Sequence, residues 1–338
     1  MLQLVNYIFS KIFKPPRRRT GMKYPYSLIA NLEGKGRDFA SAVYQELQKR
    51  SSEFELNPFH VTHFRDGEFK TQVEKNVRRK ICFFLHDSNE IPSQWFAQLL
   101  FVNQSLRNSS ASETVDVLPY LKFSRQDRKD QSRTPITARA LAHVIEDYAD
   151  RVVTLDVHNP ALQGFYDIPF DPLHSYPTVV SYLRENHPAI LDDVVVMSTD
   201  AGGAKRAQYF ANSLEINDVV VGYKIRPSPG EVGSLRILGD VKGKNVLIVD
   251  DLVDSGGTLI KACESARMQG ARSVSAYATH GLFTEGNDKV ASCLDNLFVG
   301  DTLLQQNHPK LEVISFAPLF AEAIYRISEG ESLSALFT

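Results

Sequence analysis

Apolar residues fall in short blocks along this chain, and the blocks alternate with stretches of helical periodicity. The blocks at 26–30, 81–85, 151–155, 194–197 and 246–249 are four or five residues long and rich in β-branched and aromatic side chains. Blocks of that length predict strands buried on both faces of a parallel sheet. Between them, Phe39, Val43 and Leu47 repeat at helical spacing and predict a helix over 38–50. Further helices are expected at 93–106, 135–148, 176–186, 204–214 and 319–328. Strands are expected at 61–64, 69–73, 115–120, 219–223, 273–279 and 294–302, with an Asp66-Gly67 turn joining the first two. This alternation predicts an α/β fold with mostly parallel sheets flanked by helices. The strand-end loops come in two sets, before and after about residue 174. The expectation is therefore an extension at 1–23 and two similar domains, 24–174 and 175–338.

The most informative stretch is 245–263, NVLIVDDLVDSGGTLIKAC. Its apolar run, Val246 to Val249, predicts a buried strand ending at the adjacent acids Asp250 and Asp251. A tight turn follows, Asp254-Ser255-Gly256-Gly257-Thr258, and a helix is expected from about Leu259. Loops at the carboxyl ends of parallel strands are where open α/β sheets bind ligands. The glycines allow close approach of backbone N–H groups, and the helix adds its positive end, which suits a phosphate. The acids ahead of the loop can accept hydrogen bonds from sugar hydroxyls. Phosphate at one end and a diol at the other describe a ribose 5-phosphate.

Other strand ends carry chemistry too. A densely charged loop, 125–133, follows the strand at 115–120. Asp156 and His158 follow the strand at 151–155. Asp200, with Gly202 and Gly203, sits at a strand-to-helix junction with Lys205 and Arg206 in the first helical turn, which suits an anion or a metal. Lys224 and Arg226 enter a segment with two prolines and two glycines, expected to be a loop.

Composition narrows the class. The 338 residues are 43% apolar and 23% charged, as in globular proteins, and suffice for two cores. A net charge of −2 gives no general case for nucleic acid as a partner. No stretch reaches the ~18–20 apolar residues of a membrane span. Cys82, Cys263 and Cys293 lack metal-binding spacing and read as reduced core thiols in a cytoplasmic protein. Residues 1–21 combine Leu2, Val5, Ile8 and Phe9 with Arg17 to Arg19. They suit a membrane surface or an anionic partner, a disordered tail, or sequence upstream of a start at Met22.

The 250–258 run resembles the phosphoribosyl-pyrophosphate motif. Phe64-Arg-Asp-Gly-Glu68, Arg125-Gln-Asp-Arg-Lys-Asp130, the 156–169 segment, Thr199-Asp-Ala-Gly-Gly-Ala-Lys-Arg206 and the ending Ser334-Ala-Leu-Phe337 resemble one family. That family is the ribose-phosphate pyrophosphokinases, with two phosphoribosyltransferase-like domains. The resemblance covers 26–337. It implies transfer of the diphosphoryl group of ATP to the C1 hydroxyl of ribose 5-phosphate, with Mg²⁺ as cofactor and a homo-oligomer, dimer or hexamer.

By resemblance, Phe64, Asp66, Gly67 and Glu68 bind adenine, from a neighbouring subunit, and Arg125 and Gln126 contact ATP. His158 and Asp200 bind Mg²⁺. Asp250 and Asp251 hold the ribose, and Asp254, Ser255, Gly256, Gly257 and Thr258 its phosphate. Lys224 and Arg226 are the catalytic cations. From its residue type alone His158 reads as structural, since Mg²⁺ prefers oxygen ligands. Most family members carry a further basic residue where this chain has Ile225, and 86–95 departs from the usual sequence of a region tied to phosphate and ADP regulation. Two other functions remain open: a catalytically silent partner of active synthetases, and a phosphoribosyltransferase. The second has no use for the motifs at 64–68 and 125–130.

Overall fold

The computed structural model describes residues 25–217, 219–225 and 234–337. The extension at 1–23, including its basic segment, lies outside them. In chain order the elements are β1 (Tyr26–Ala30), α1 (Arg37–Arg50), β2 (Phe54–His63), β3 (Phe69–Val73), β4 (Ile81–Leu85), α2 (Pro92–Asn108), β5 (Glu113–Leu118), α3 (Thr137–Glu146), β6 (Arg151–Leu155) and β7 (Phe170–Leu173). There follow α4 (Tyr176–Asn186), β8 (Val194–Ser198), α5 (Ala204–Ser213), β9 (Val219–Ile225), β10 (Ser234–Leu238) and β11 (Asn245–Val253). The last are α6 (Gly257–Met268), β12 (Ser273–Gly281), α7 (Asp288–Cys293), β13 (Asn296–Gly300), β14 (Leu311–Ile314) and α8 (Ala317–Glu329).

Two seven-stranded sheets result, ordered β3-β2-β1-β4-β5-β6-β7 and β10-β9-β8-β11-β12-β13-β14. Each is parallel except for one antiparallel pair at an edge, β2–β3 and β9–β10. The strands read as continuous apolar runs because both faces are covered. One core cluster fills the space between the sheets. It takes Leu28, Val115 and Val153 from the first sheet, Val196, Leu247 and Tyr277 from the second, and the inward faces of α1, α4, α5 and α8. A second cluster, around Trp95 and Leu99, covers the outer face of the first sheet with α2 and α3. A third, around Leu259 and Val290, covers the outer face of the second with α6 and α7.

The middle layer mixes distant parts of the chain. α8 lies along α1, with Phe39 and Phe320 edge-to-face at 5.7 Å, Arg50 and Glu322 paired at 2.7 Å, and the Tyr26 hydroxyl donating to the Ser328 carbonyl at 3.0 Å.

Four elements, β7, β10, α7 and β14, were not expected, and β2, β9 and β11 each reach past their expected bounds. β11 does not stop at Asp250 but runs through Val253, because Asp250, Leu252 and Val253 stay in register with β12. β2 begins at Phe54, with Pro58 inside it, paired with Ala30. β9 extends to Ile225, so the backbone of Lys224 belongs to a strand paired with Leu235 rather than to a loop.

Candidate active site

The carboxyl ends of β5 and β6 in one sheet meet those of β8, β11 and β12 in the other, and the polar side chains that the blocks carried to their ends converge there. Asp251 is the centre. Its Oδ2 lies 2.8 Å from His158 Nδ1, and its Oδ1 lies 3.1 Å from Arg206 Nη1. Arg206 Nη1 also stands 3.6 Å from Asp250 Oδ1. Asp250 Oδ2 accepts a hydrogen bond from Thr199 Oγ1 at 2.7 Å, and its Oδ1 one from the Asp251 N–H at 2.9 Å.

Two carboxylates on successive residues cannot both ionise freely when buried. Burial, then the charge of Asp251, pushes Asp250 up to about 7. Burial opposes the charge of Asp251 too, but the hydrogen bond from His158 and the Arg206 guanidinium outweigh it and hold Asp251 well below the usual range. The bond to Asp251 raises His158 against the effect of burial. At neutral pH the cluster therefore centres on an ionised Asp251, with Asp250 able to donate as well as accept.

Behind it, Asp156 Oδ2 accepts from Thr279 Oγ1 at 2.6 Å, and His280 Nε2 is 3.1 Å from the Leu155 carbonyl. These bonds cross from the first sheet to the second and fix the relative height of the two sets of loops.

The phosphate-type turn lies beside the cluster. Gly256 precedes α6 with φ +81°, a conformation that favours glycine, and a Cβ there would meet Val290 Cγ2 at 2.1 Å. A Cβ on Gly257 would meet nothing closer than Ser255 Oγ at 4.0 Å, so that position opens outward. Asp254 is pinned from two sides, by Thr284 Oγ1 and by Arg125 Nη1, both at 2.7 Å, and these two bonds lower its pKa.

Arg125 thus reaches from the first sheet's charged loop into the second sheet's turn. The same loop is tied to the β6 end, where Asn159 Nδ2 donates to Asp127 Oδ2 at 2.6 Å. Gln126 instead hydrogen-bonds Thr137 at the start of α3. Ser255 and Thr258 flank the glycines, with Thr258 in the first turn of α6.

The expected adenine contacts stand apart. Phe64, Asp66, Gly67 and Glu68 form the turn of the β2–β3 hairpin, closed by Phe64 N–H to the Glu68 carbonyl at 2.7 Å and Glu68 N–H to Asp66 Oδ1 at 3.0 Å. Phe64 is 50% exposed. β1, β4 and β5 separate β2 from β6, so the strand spacing alone puts this hairpin roughly 19 Å from the His158 strand. Asp200 Oδ1 accepts the Gly203 N–H at 3.1 Å, at the entry to α5. Among the described residues, no group of three or more His, Cys, Asp and Glu side chains is placed to hold a metal ion. The Lys224 backbone lies one residue before the end of β9, and Arg226 lies outside the described residues.

Sequence reasoning named Arg206 only as a cation in a helical first turn, where its pairing with two acids 44 and 45 positions away was invisible. Thr284 and His280 were missed, since neither stands in a motif.

Two family models match the chain: the N-terminal domain of ribose phosphate pyrophosphokinase over residues 30–148, and the phosphoribosyl synthetase-associated domain over 225–338. The ribose-phosphate pyrophosphokinase of Aquifex aeolicus is 38% identical over 82% of this chain and 90% of its own. That of Rhizobium meliloti is 40% identical over 82% and 91%. In structure, the phosphoribosylpyrophosphate synthetase of Mycobacterium smegmatis aligns with a TM-score of 0.81 at 30% identity, over 90% of this chain and 99% of that one.

Proposed function

The chain belongs to the ribose-phosphate pyrophosphokinase family, and we propose that it makes phosphoribosyl pyrophosphate at the junction of its two sheets, moving the diphosphoryl group of ATP to the C1 hydroxyl of ribose 5-phosphate and releasing AMP. The observation that carries the reading is the pairing of loops across that junction, Arg125 with Asp254 and His158 with Asp251. A two-substrate transfer needs a donor side and an acceptor side facing each other. In this reading residues 24–174 supply the donor side and 175–338 the acceptor side.

The turn at Asp254 to Thr258 receives the 5-phosphate, through backbone N–H groups and the positive end of α6. Asp250 and Asp251 face the ribose hydroxyls. Asp250, at about 7, hydrogen-bonds a hydroxyl in either protonation state. Arg125 and Gln126 lie on the ATP side. Opening of the Arg125–Asp254 pair on substrate binding frees the guanidinium for a phosphate and the carboxylate for the sugar. Lys224 and Arg226 stabilise the charge that grows on the leaving α-phosphate and on the transferring group. Phe64, Asp66, Gly67 and Glu68, on the remote hairpin, hold the adenine of a neighbouring subunit, so the active form is a homo-oligomer.

His158 and Asp200 are the groups for Mg²⁺. His158 gives Nδ1 to a carboxylate, the arrangement that orients a ligating imidazole and leaves Nε2 for an ion. Two protein ligands suit Mg²⁺ when substrate phosphates and water supply the rest. When bound, the ion neutralises charge on the diphosphate oxygens. Among the described residues no helix is long and apolar enough to cross a membrane, and three unpaired cysteines suit a cytoplasmic setting.

The test is AMP release from ATP that requires both ribose 5-phosphate and Mg²⁺. Absence of that release under saturating substrates overturns the reading.

A further inference from the structure

The outer face of the second sheet carries a pair of thiols that the proposed reaction does not use. Cys263 lies in the middle of α6, the helix that begins at the phosphate-type turn, and Cys293 ends α7. They are 30 residues apart in sequence and in contact in the fold. Cys263 Sγ donates to the Cys293 carbonyl at 2.7 Å, and Cys293 Sγ donates to the Val290 carbonyl at 3.1 Å. Cys263 is buried, whereas Cys293 is part-exposed and open to a small reagent.

A cation lies beside the pair. Arg267, one turn along α6, holds the same carbonyl through Nε at 3.2 Å and Nη2 at 3.1 Å. The Cys293 thiol and, against burial, Arg267 bring Cys263 down to about 7. Its neighbour and burial in turn raise Cys293, so the pair gives up one proton far more readily than the second. Cys82 is the contrast. It is buried in β4 of the other sheet, and burial pushes it up to about 12. Reactive cysteines are set apart from inert ones by thiolate character and access.

We propose that Cys263 and Cys293 form a reversible disulfide that clamps α7 to α6, making the pair an oxidant-responsive modification site. With oxidised glutathione as the oxidant, the accessible Cys293 sulfur, as thiolate after proton exchange within the pair, attacks one glutathione sulfur. The glutathione S–S bond breaks and one glutathione thiolate leaves. Cys263 thiolate then attacks Cys293 Sγ in the mixed disulfide and expels the second glutathione. Two protein thiols are oxidised and one glutathione disulfide is reduced; of the two departing glutathione thiolates, one takes the pair's remaining proton and the other a proton from water. The clamp bears on the turn because Val290, in α7, is the residue lying against Gly256.

The full chain is equilibrated with oxidised glutathione under native conditions, its remaining thiols are alkylated, and it is mapped by mass spectrometry without reduction. The expected result is a cross-linked pair of peptides holding Cys263 and Cys293, lighter by two hydrogens than the separate peptides. Two of the three thiols are lost, Cys82 is untouched, and dithiothreitol restores both. In Cys263→Ser the reaction stops at a glutathione adduct on Cys293. Survival of all three thiols in the unmutated chain, or accumulation there of the glutathione adduct without the cross-link, overturns the proposal, and neither outcome depends on how a variant folds.

Discussion

His158 Nδ1 and Asp251 Oδ2 stand 2.8 Å apart, and this contact joins the end of a strand in one sheet to the end of a strand in the other. The His158 side chain is 44% exposed, so water screens the pair and its share of stability is at most ~1 kcal/mol. His158→Asn should accordingly unfold within ~1 kcal/mol of the parent in urea yet lose at least about ten-fold in activity at limiting Mg²⁺. Because Asp251 raises the folded pKa of His158 above 6.5, the pair's contribution is complete below about 6.5 and fades as pH rises through the folded value. The stability difference between parent and variant should shrink over that interval. A difference that grows with pH rules the ion pair out.

Arg206 has the larger energetic role. Its side chain is buried against Asp250 and Asp251, and Arg206→Met leaves two carboxylates without their common cation. Breaking a buried pair in this way costs about 3–5 kcal/mol, measurable by chemical denaturation. The loss should ease in acid, because Asp250 already sits at about 7 and rises further without the guanidinium. If activity needs Asp250 ionised, the acid limb of the pH–rate profile moves to higher pH in Arg206→Met.

The two glycines of the turn should fail differently. Gly256→Ala meets Val290 and a left-handed backbone, so it should lower the thermal midpoint even without ligand. Gly257→Val has room in the free protein and should fold normally, while raising KM for ribose 5-phosphate far more than KM for ATP. Equal effects on both substrates would remove the phosphate assignment.

Lys224→Ala should lower turnover by at least about 10²-fold with little change in binding of either substrate, the pattern of a charge felt mainly in the transition state. Ile225→Arg, which adds a cation between Lys224 and Arg226, should be tolerated. Near-normal turnover with weakened ATP binding would make Lys224 a ground-state contact instead.

Shared sites make a separate demand. Asp66→Ala and Lys224→Ala chains, each inactive alone, should regain activity when mixed, because some sites then draw an intact hairpin and an intact strand end from different chains. Full activity in a monomer by sedimentation would refute sharing.

Much of this was legible from blocks such as Val246 to Val249, since a run of β-branched residues has few places to go except a covered strand. The turn at Gly256 was legible for a local reason: its residues make the structure by themselves. Pro58 hid the first half of β2, because a proline argues against a strand until its partner is known. Asp250 and Asp251 read as strand-ending acids, yet their register with β12, which sequence does not reveal, keeps them in the sheet. The Arg206 and His158 pairings were illegible for the same reason, being contacts across the fold rather than along the chain.

The embrace of α1 by α8 orders events during synthesis. The inner face of the first sheet is laid down by residue 173, but the helix carrying Phe320, Ala321 and Ile324 onto that layer is translated only after every strand of the second sheet. Until α8 leaves the ribosome, the inner face of the first sheet is covered by α1 only in part. The two sheets therefore share one middle layer, and a chain cut before residue 317 should expose the apolar face of α1 and aggregate, which light scattering of the truncated chain would show.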